Sequence, residues 1–354
     1  MKTLAFEHIT FSYKKGKILF KDLSFKIEQP TGKGFVVGLM GASGSGKSTI
    51  LKLILGIETN YLGKISISPD NPVISYVPQE PVLFEHLTPK ENAEYFKRVG
   101  NYKSKFSSEL FNEAAKALQI EDVLQNATSV NEISGGQRQR ISLLRAMSIQ
   151  PDILLLDEPL TGLDEEVKDQ FLQTLATLIQ RLNLMVLYVT HHRKEAEFIS
   201  DTILYLEKEN KSETVTSASQ TTAKLFFDNP PTISALNATK DIQVNTLNFI
   251  PSEDGKVELP KSITKNEDIQ LMSFGEDVIH FSENFGFEVE KIAETGTYTL
   301  LQLKDTQTIL TVDNETYKKN SSSKYISLIG NINLYNNKGQ FLKTATINNN
   351  QISK

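Results

Sequence analysis

With 354 residues, 39% of them hydrophobic and 23% charged, the chain can bury a sizeable core and form two domains, and its composition excludes a disordered or collagen-like protein. A net charge of -5 leaves no basic footprint, which argues against a nucleic-acid partner held by bulk electrostatics. The absence of cysteine excludes disulfides and thiolate metal sites and suits a reducing cytoplasm.

The N-terminal run MKTLAFEHITFSYKKGK carries Glu7 and His8 where a signal peptide needs an unbroken apolar stretch. No apolar run approaches the roughly 18 residues of a membrane-spanning helix. The expectation is a soluble chain whose membrane association runs through another protein.

Along the chain, the apolar strand Phe35–Met40 leads through Gly41–Thr49 into a helix over Lys47–Leu55. A second strand, Ile153–Leu156, precedes a helix with Val167, Phe171, Leu175, Leu178 and Leu182 on one face; strands over Met185–Val189 and Asp201–Leu206 follow. Strands alternating with helices predict an α/β domain with a largely parallel sheet. A polar connection, Glu207–Ser212, and a short element over Lys224–Pro231 ended by two prolines lead into a different composition. Every arginine, from Arg98 to Arg193, precedes residue 200, and the last third is rich in Asn, Thr, Ser and Lys. There, alternating runs such as Tyr298–Leu303 and Thr308–Val312, separated by turn-rich pieces such as Asn336–Gly339, predict a small β-sandwich or barrel. Asn320–Ser323 and Asn348–Asn350 read as loop and tail.

The stretch Gly41-Ala42-Ser43-Gly44-Ser45-Gly46-Lys47-Ser48-Thr49 satisfies G-x-x-x-x-G-K-S/T between a strand and a helix. The pattern alone also describes a Gly/Ser loop with a solvated lysine. As a phosphate cradle, its glycines turn backbone N–H groups inward and the helix N-terminus adds donors and a favourable dipole. Lys47 would neutralise β- and γ-phosphates and Ser48 would ligate Mg²⁺. A strand ending Leu156-Asp157-Glu158-Pro159 would set Asp157 beside the metal, with Glu158 next to it to orient or deprotonate water. The run Ile133-Ser134-Gly135-Gly136-Gln137, before the apolar helix Ile141–Met147, reads alone as a helix-capping turn.

In this order the motifs resemble the ABC ATPase family, with ISGGQ where the family usually has LSGGQ. The resemblance implies a P-loop NTPase domain with an ABC-type helical insertion over residues 1–230. It implies ATP and Mg²⁺ as cofactors, and a two-chain dimer in which Ser134, Gly135, Gly136 and Gln137 contact the γ-phosphate held by the partner chain. Tyr13 sits where the family stacks an aromatic on adenine. Gln79 resembles the Q-loop glutamine that reaches metal and water, Leu163-Asp164 resembles the D-loop, and His191 resembles the switch histidine. His192 is left as an exposed neighbour, and His8, His86 and His280 as structural or solvated residues.

The C-terminal portion, 231–354, is similar to the small all-β TOBE (OB-like) domain of import subunits. The similarity is carried by Leu225-Phe226-Phe227-Asp228-Asn229-Pro230-Pro231-Thr232, by Phe274–Val278 against an RPEDV turn without its arginine, and by Ile332–Tyr335. This part is expected to serve dimerisation or regulation. The implied partners are a second copy of the chain, an integral membrane permease contacting Val82–Phe96, and an extracytoplasmic solute-binding protein, with no nucleic acid. That places the chain at the cytoplasmic face of the membrane. The run Pro231–Thr239 leans toward molybdate- or sulfate-type oxyanion uptake; carbohydrate, polyamine or iron import, export, and a soluble non-transport role stay open as alternatives.

Overall fold

In the first two strands, β1 (Thr3–Phe11) and β2 (Phe20–Glu28), buried residues alternate with exposed or half-buried ones except at Glu7-His8 and Lys21-Asp22: Leu23, Phe25 and Ile27 point inward, Ser24, Lys26 and Glu28 outward. This is the period of a half-buried antiparallel pair. They belong to a computed structural model that describes residues 2–13, 16–99, 108–161, 165–208, 214–232, 235–236, 245–248, 269–274, 278–282, 287–294, 298–303, 309–336, 340–348 and 351–353. The chain divides into two compact units, Met1–Lys224 and Leu225–Lys354.

In the first unit, β3 (Phe35–Gly41) leads into α1 (Lys47–Ile54), followed by β4 (Tyr61–Ser68) and β5 (Ile74–Val77). The helices α2 (Pro89–Val99), α3 (Ser108–Ala117), α4 (Glu121–Asn126) and α5 (Gly135–Met147) come next. They form the helical insertion before β6 (Ile153–Asp157), α6 (Glu165–Leu182), β7 (Met185–Val189), α7 (Arg193–Ile199), β8 (Thr202–Lys208) and β9 (Val215–Thr222). The strands make one nine-stranded sheet in the order β4-β1-β2-β9-β8-β3-β7-β6-β5. From β5 to β8 all neighbours are parallel. The expected parallel sheet is therefore one part of a larger mixed sheet, because β1, β2, β4 and β9 add antiparallel ladders.

The central strands are apolar on both faces. Ile153 and Leu155 of β6 join Met185, Leu187 and Val189 of β7 in one core with α1 and the antiparallel strands. Leu154, Leu156, Val186 and Tyr188 point the other way, into a core shared with α3, α4, α5 and α6. On α6, Phe171, Leu175 and Leu178 are buried in that second core. Gly38 allows α7 to close over β3, since a Cβ there would lie 2.5 Å from Ser200 Oγ. The strand expected over Asp201–Leu206 runs on to Lys208, so the polar connection begins later than its composition suggested.

The second unit opens with the last residues of α8 (Ala223–Asp228). It contains β10 (Asn245–Asn248), β11 (Ile269–Phe274), β12 (Ile279–Ser282), β13 (Phe287–Glu294), β14 (Tyr298–Leu303), β15 (Ile309–Asp313), α9 (Asn314–Lys319), β16 (Tyr325–Leu328), β17 (Gly330–Asn336), β18 (Phe341–Asn348) and β19 (Gln351–Ser353). Two five-stranded antiparallel sheets, β10-β11-β17-β18-β19 and β12-β16-β13-β14-β15, share one core of Val278, Leu301, Leu310, Val312, Ile326, Leu328, Ile332 and Leu334. This is the small all-β domain expected from the alternating runs. The expectations resting on residues 209–213, 233–234, 237–239, 275–277, 337–339 and 349–350 lie outside the described residues.

No helix among the described residues is long and apolar enough to cross a membrane. Leu187→Ala, in the middle of β7 with no solvent exposure, is expected to destabilise the first unit by about 2–5 kcal/mol through lost transfer energy and an unfilled cavity. Urea titration followed by circular dichroism measures it as a lowered midpoint.

Candidate functional site

Register brings the carboxyl ends of β3, β5, β6 and β7 to one edge: Leu39 lies beside Val189, Val189 beside Asp157, and Leu156 beside Val77. Ligands of open α/β sheets bind beyond such ends. The segments leaving these strands carry the phosphate loop, Gln79, Asp157 with Glu158, and His191. They border a cavity of about 670 Å³ lined by Ser43, Gly44, Gly46, Lys47, Ser48 and Thr49, together with Tyr13, Gln79, Asp157 and Glu158.

Gly46 caps α1 at φ 86°, and a Cβ there would lie 2.6 Å from the Phe20 ring. No side chain caps this N-terminus and its first turn holds no acid, so the helix directs unneutralised N–H groups and its positive pole toward an anion. Lys47 Nζ donates to the carbonyls of Gly41 at 2.9 Å and Ala42 at 3.3 Å. Burial pulls its ammonium below the ordinary range, against the attraction of Glu158 and Asp157. The Ser45 N–H donates to Ala42 O at 3.0 Å, and the buried Ser45 hydroxyl has no hydrogen-bond partner among the described residues.

At the end of β6, Asp157 is 7% exposed. Burial pushes its carboxyl up; the hydroxyls of Ser48 and Tyr76 and the Lys47 charge pull the other way, while Glu158 adds to the rise. Tyr76 OH lies 3.4 Å from Asp157 Oδ2, and burial and that carboxylate push its own pKa up to about 12. No group of three or more His, Cys, Asp or Glu side chains placed to hold a metal ion occurs among the described residues. The donor set at this point is therefore a hydroxyl paired with one carboxylate. That is the hard-oxygen chemistry Mg²⁺ accepts when phosphate oxygens and water complete its shell.

Glu158 stands at φ 46°, in the left-handed region, with its N–H donated to Val189 O at 2.9 Å. That turn aims its carboxylate between two partners. Gln79 Nε2 donates to Oε2 at 3.1 Å, and His191 Nδ1 lies 3.2 Å from Oε1. Backbone strain of this kind persists where surrounding structure holds it. His192 departs from expectation: it is half-buried, its ring centroid lies 3.9 Å from that of His191, and its N–H donates to Thr190 Oγ1 at 3.0 Å. His8, His86 and His280 are exposed.

Tyr13 lines the cavity with a half-exposed ring, its hydroxyl 2.9 Å from Thr49 Oγ1 and Phe11 edge-on behind it. Ser134, Gly135, Gly136 and Gln137 are not brought to this cavity. Ser134 caps α5 in a reciprocal box: its Oγ accepts from Gln137 N at 3.2 Å while Gln137 Oε1 accepts from Ser134 N at 2.9 Å. A Cβ on Gly135 would meet no atom within 4 Å, so this helix start faces open space. Leu163-Asp164 lies outside the described residues.

Sequence reasoning missed Lys17, Ile18 and Leu19, which line the cavity next to Tyr13. Their only signal is position, a few residues beyond an aromatic that was itself singled out. Lys208 donates to Ser43 O at 2.8 Å and was likewise missed. Its signal is register: Leu206 pairs with Gly41, which carries Lys208 past the strand end toward the phosphate loop.

The ABC transporter family pattern matches residues 20–161. An sn-glycerol-3-phosphate import ATP-binding protein of Psychromonas ingrahamii is 30% identical over 321 residues, 86% of this chain and 83% of that protein. A probable sulfate/thiosulfate import ATP-binding protein of Chlorella vulgaris is 35% identical over 49% of this chain and 76% of its own length. An Fe(3+) ions import ATP-binding protein of Vibrio cholerae is 35% identical over 50% of this chain and 52% of its own length. Lys47→Met is expected to weaken pyrophosphate binding, measured by calorimetry, about ten- to a hundredfold, the equivalent of a lost hydrogen bond to a charged group.

Proposed function

This chain belongs to the ABC transporter family as an ATP-binding subunit and ATPase, and on that premise we propose that it energises an importer. In this reading two copies close around two ATP molecules at the cytoplasmic face of a separate membrane permease. The observation that carries the hydrolytic assignment is Glu158 held between Gln79 and His191 at the mouth of the phosphate-loop cavity.

Lys47 and the α1 N-terminus bind the phosphates, Tyr13 stacks on adenine, and Gly41, Ala42 and Ser43 to Thr49 shape the cradle. Ser48, Asp157 and the amide oxygen of Gln79 would hold Mg²⁺, which when bound neutralises charge on the transferring phosphoryl group. Glu158 accepts a proton from water as the water oxygen bonds to the γ-phosphorus and the bond to the β–γ bridging oxygen breaks, with ADP leaving. Gln79 and His191 hold that carboxylate and contact water and γ-phosphate. Ser134, Gly135, Gly136 and Gln137 bind the γ-phosphate of the partner copy. Their place outside this chain's own cavity, at a helix start facing open space, supports that trans role.

The permease contact is assigned to Val82–Phe96. Val82 is exposed, and the segment behind it is tied to the fold: buried Asn92 bonds the backbone of Phe84, Leu87 and Thr88, and the Arg145 guanidinium lies over the rings of Phe84 and Phe96. Residues 231–354 serve as a TOBE-like dimerisation or regulatory domain beside the ATPase domain, 1–230. The cargo assigned is an oxyanion. The molybdate- or sulfate-type reading is supported by the relative named for sulfate/thiosulfate import, the sn-glycerol-3-phosphate and Fe(3+) relatives pointing to other cargoes.

Glu158→Gln is expected to leave ATP affinity unchanged and lower kcat by about 10²–10⁴-fold. The same variant is expected to elute as a dimer with ATP on size-exclusion chromatography and as a monomer without it. Undiminished hydrolysis removes the assignment of Glu158. Cells lacking the chain are expected to lose ATP-dependent uptake of labelled sulfate or a phosphate monoester and to keep Fe(3+) uptake. The reverse pattern moves the cargo to iron.

A further inference from the structure

The hydrolytic reading leaves unused a buried carboxylate next to its histidine. Glu195, on the first turn of α7, is 5% exposed. Its Oε2 accepts from Tyr188 OH at 3.1 Å and from Thr190 Oγ1 at 2.8 Å, residues that end β7 and begin the turn carrying His191. The Thr190 hydroxyl has one proton, which it gives to Glu195, so it meets the His192 N–H, 3.0 Å away, as an acceptor. An acceptor-only carboxylate thus sets the direction of a chain of hydrogen bonds that clamps the backbone on both sides of His191. The other oxygen, Oε1, accepts no hydrogen bond among the described residues and lies 4.0 Å from Nζ of Lys168, a nearly buried residue on the first turn of α6. A buried carboxylate is costly without a paired charge, and Lys168 supplies one from a different helix.

We propose that Glu195, paired with Lys168, is the positioning residue of His191. It fixes the Tyr188–His192 turn so that the imidazole meets Glu158, and it ties that geometry to helix α6. The inference rests on the reading of His191 as part of the hydrolytic apparatus. The network is mostly hidden from solvent, and neither Glu195 nor Lys168 lines the cavity, so its removal is expected to act on turnover and not on nucleotide affinity.

The test measures ATP hydrolysis, ATP affinity and thermal unfolding of the full chain. Glu195→Gln keeps the oxygen facing Tyr188 and Thr190 but turns an amide toward Lys168, and Lys168→Met removes the charge. Thr190→Val breaks the chain of bonds without touching either charge. Each is expected to lower kcat about tenfold, the scale of a small misplacement of a reacting group, with KM for ATP within about twofold of the parent. Lys168→Arg, which keeps the charge, is expected to restore turnover to within about twofold. In a His191→Ala background, Glu195→Gln is expected to cost nothing further of the residual turnover. An unchanged kcat in Glu195→Gln, or a loss of the same size without His191, overturns the inference while leaving the ATPase reading in place. Full turnover in His191→Ala alone overturns the role of His191 and this inference with it; Glu158→Gln tests the remainder of the reading separately.

Discussion

The alignment of β3, β5, β6 and β7 at one carboxyl edge is the constraint on which the rest of the first unit depends. These strands run between two apolar cores, and along Ile153 to Leu156 and Met185 to Val189 the one polar side-chain atom is the Tyr188 hydroxyl, bonded to Glu195. On these strands themselves, charged side chains appear only where a strand ends. Asp157 is the first such residue on β6 and still sits within the sheet, which is why burial raises its carboxyl and why it leans on Ser48 and Tyr76. Glu158 is the next, and the chain turns through a left-handed backbone to bring its carboxylate to Gln79 and His191. Displacing the edge of any one strand would separate groups that lie within about 3 Å of their partners, the range in which hydrogen bonds hold.

How far this could be read from the chain alone follows from how local each feature is. The phosphate loop, the apolar run before Asp157 and the Ser134–Gln137 cap are set by residues within one turn of each other, and they form the local elements those residues predict: a strand-to-helix loop, a buried strand and a capped helix start. β1 and β2 went unread as strands because bulges at Glu7–Ile9 and around Asp22 break the alternation that would have marked them; His8 and Asp22 both adopt positive φ there. Lys208, Tyr76, and the pairing of Lys168 with Glu195 were out of reach for a different reason. Each depends on which strands and helices become neighbours, and no short window of sequence records that.

His192 illustrates the same point on a single residue. Next to His191 in sequence, it looked like a solvated neighbour, yet its backbone N–H is drawn to Thr190, and Thr190 is held by Glu195. A residue without chemistry of its own thus has its place set by a buried acid on the following helix. Among the described contacts it is the ring of His191 that reaches the Glu158 carboxylate.

Among the described residues most side chains assigned to nucleotide chemistry, the Ser45 hydroxyl apart, already have an internal partner: Lys47 the carbonyls of Gly41 and Ala42, Ser48 the carboxylate of Asp157, Gln79 and His191 that of Glu158, Ser134 the amide of Gln137. Binding is then an exchange of partners, and each exchange contributes only the difference between two hydrogen bonds. Lys47 gains most, because a phosphate oxygen is a charged acceptor and a backbone carbonyl is not. Ser134 and Gln137 gain least, since their reciprocal box can persist while the glycine N–H groups beside it face outward. The phosphate loop thus has most to gain from an anion within one chain, whereas the Ser134–Gln137 turn, which faces open space, would gain in the proposed dimer from a phosphate on the partner copy.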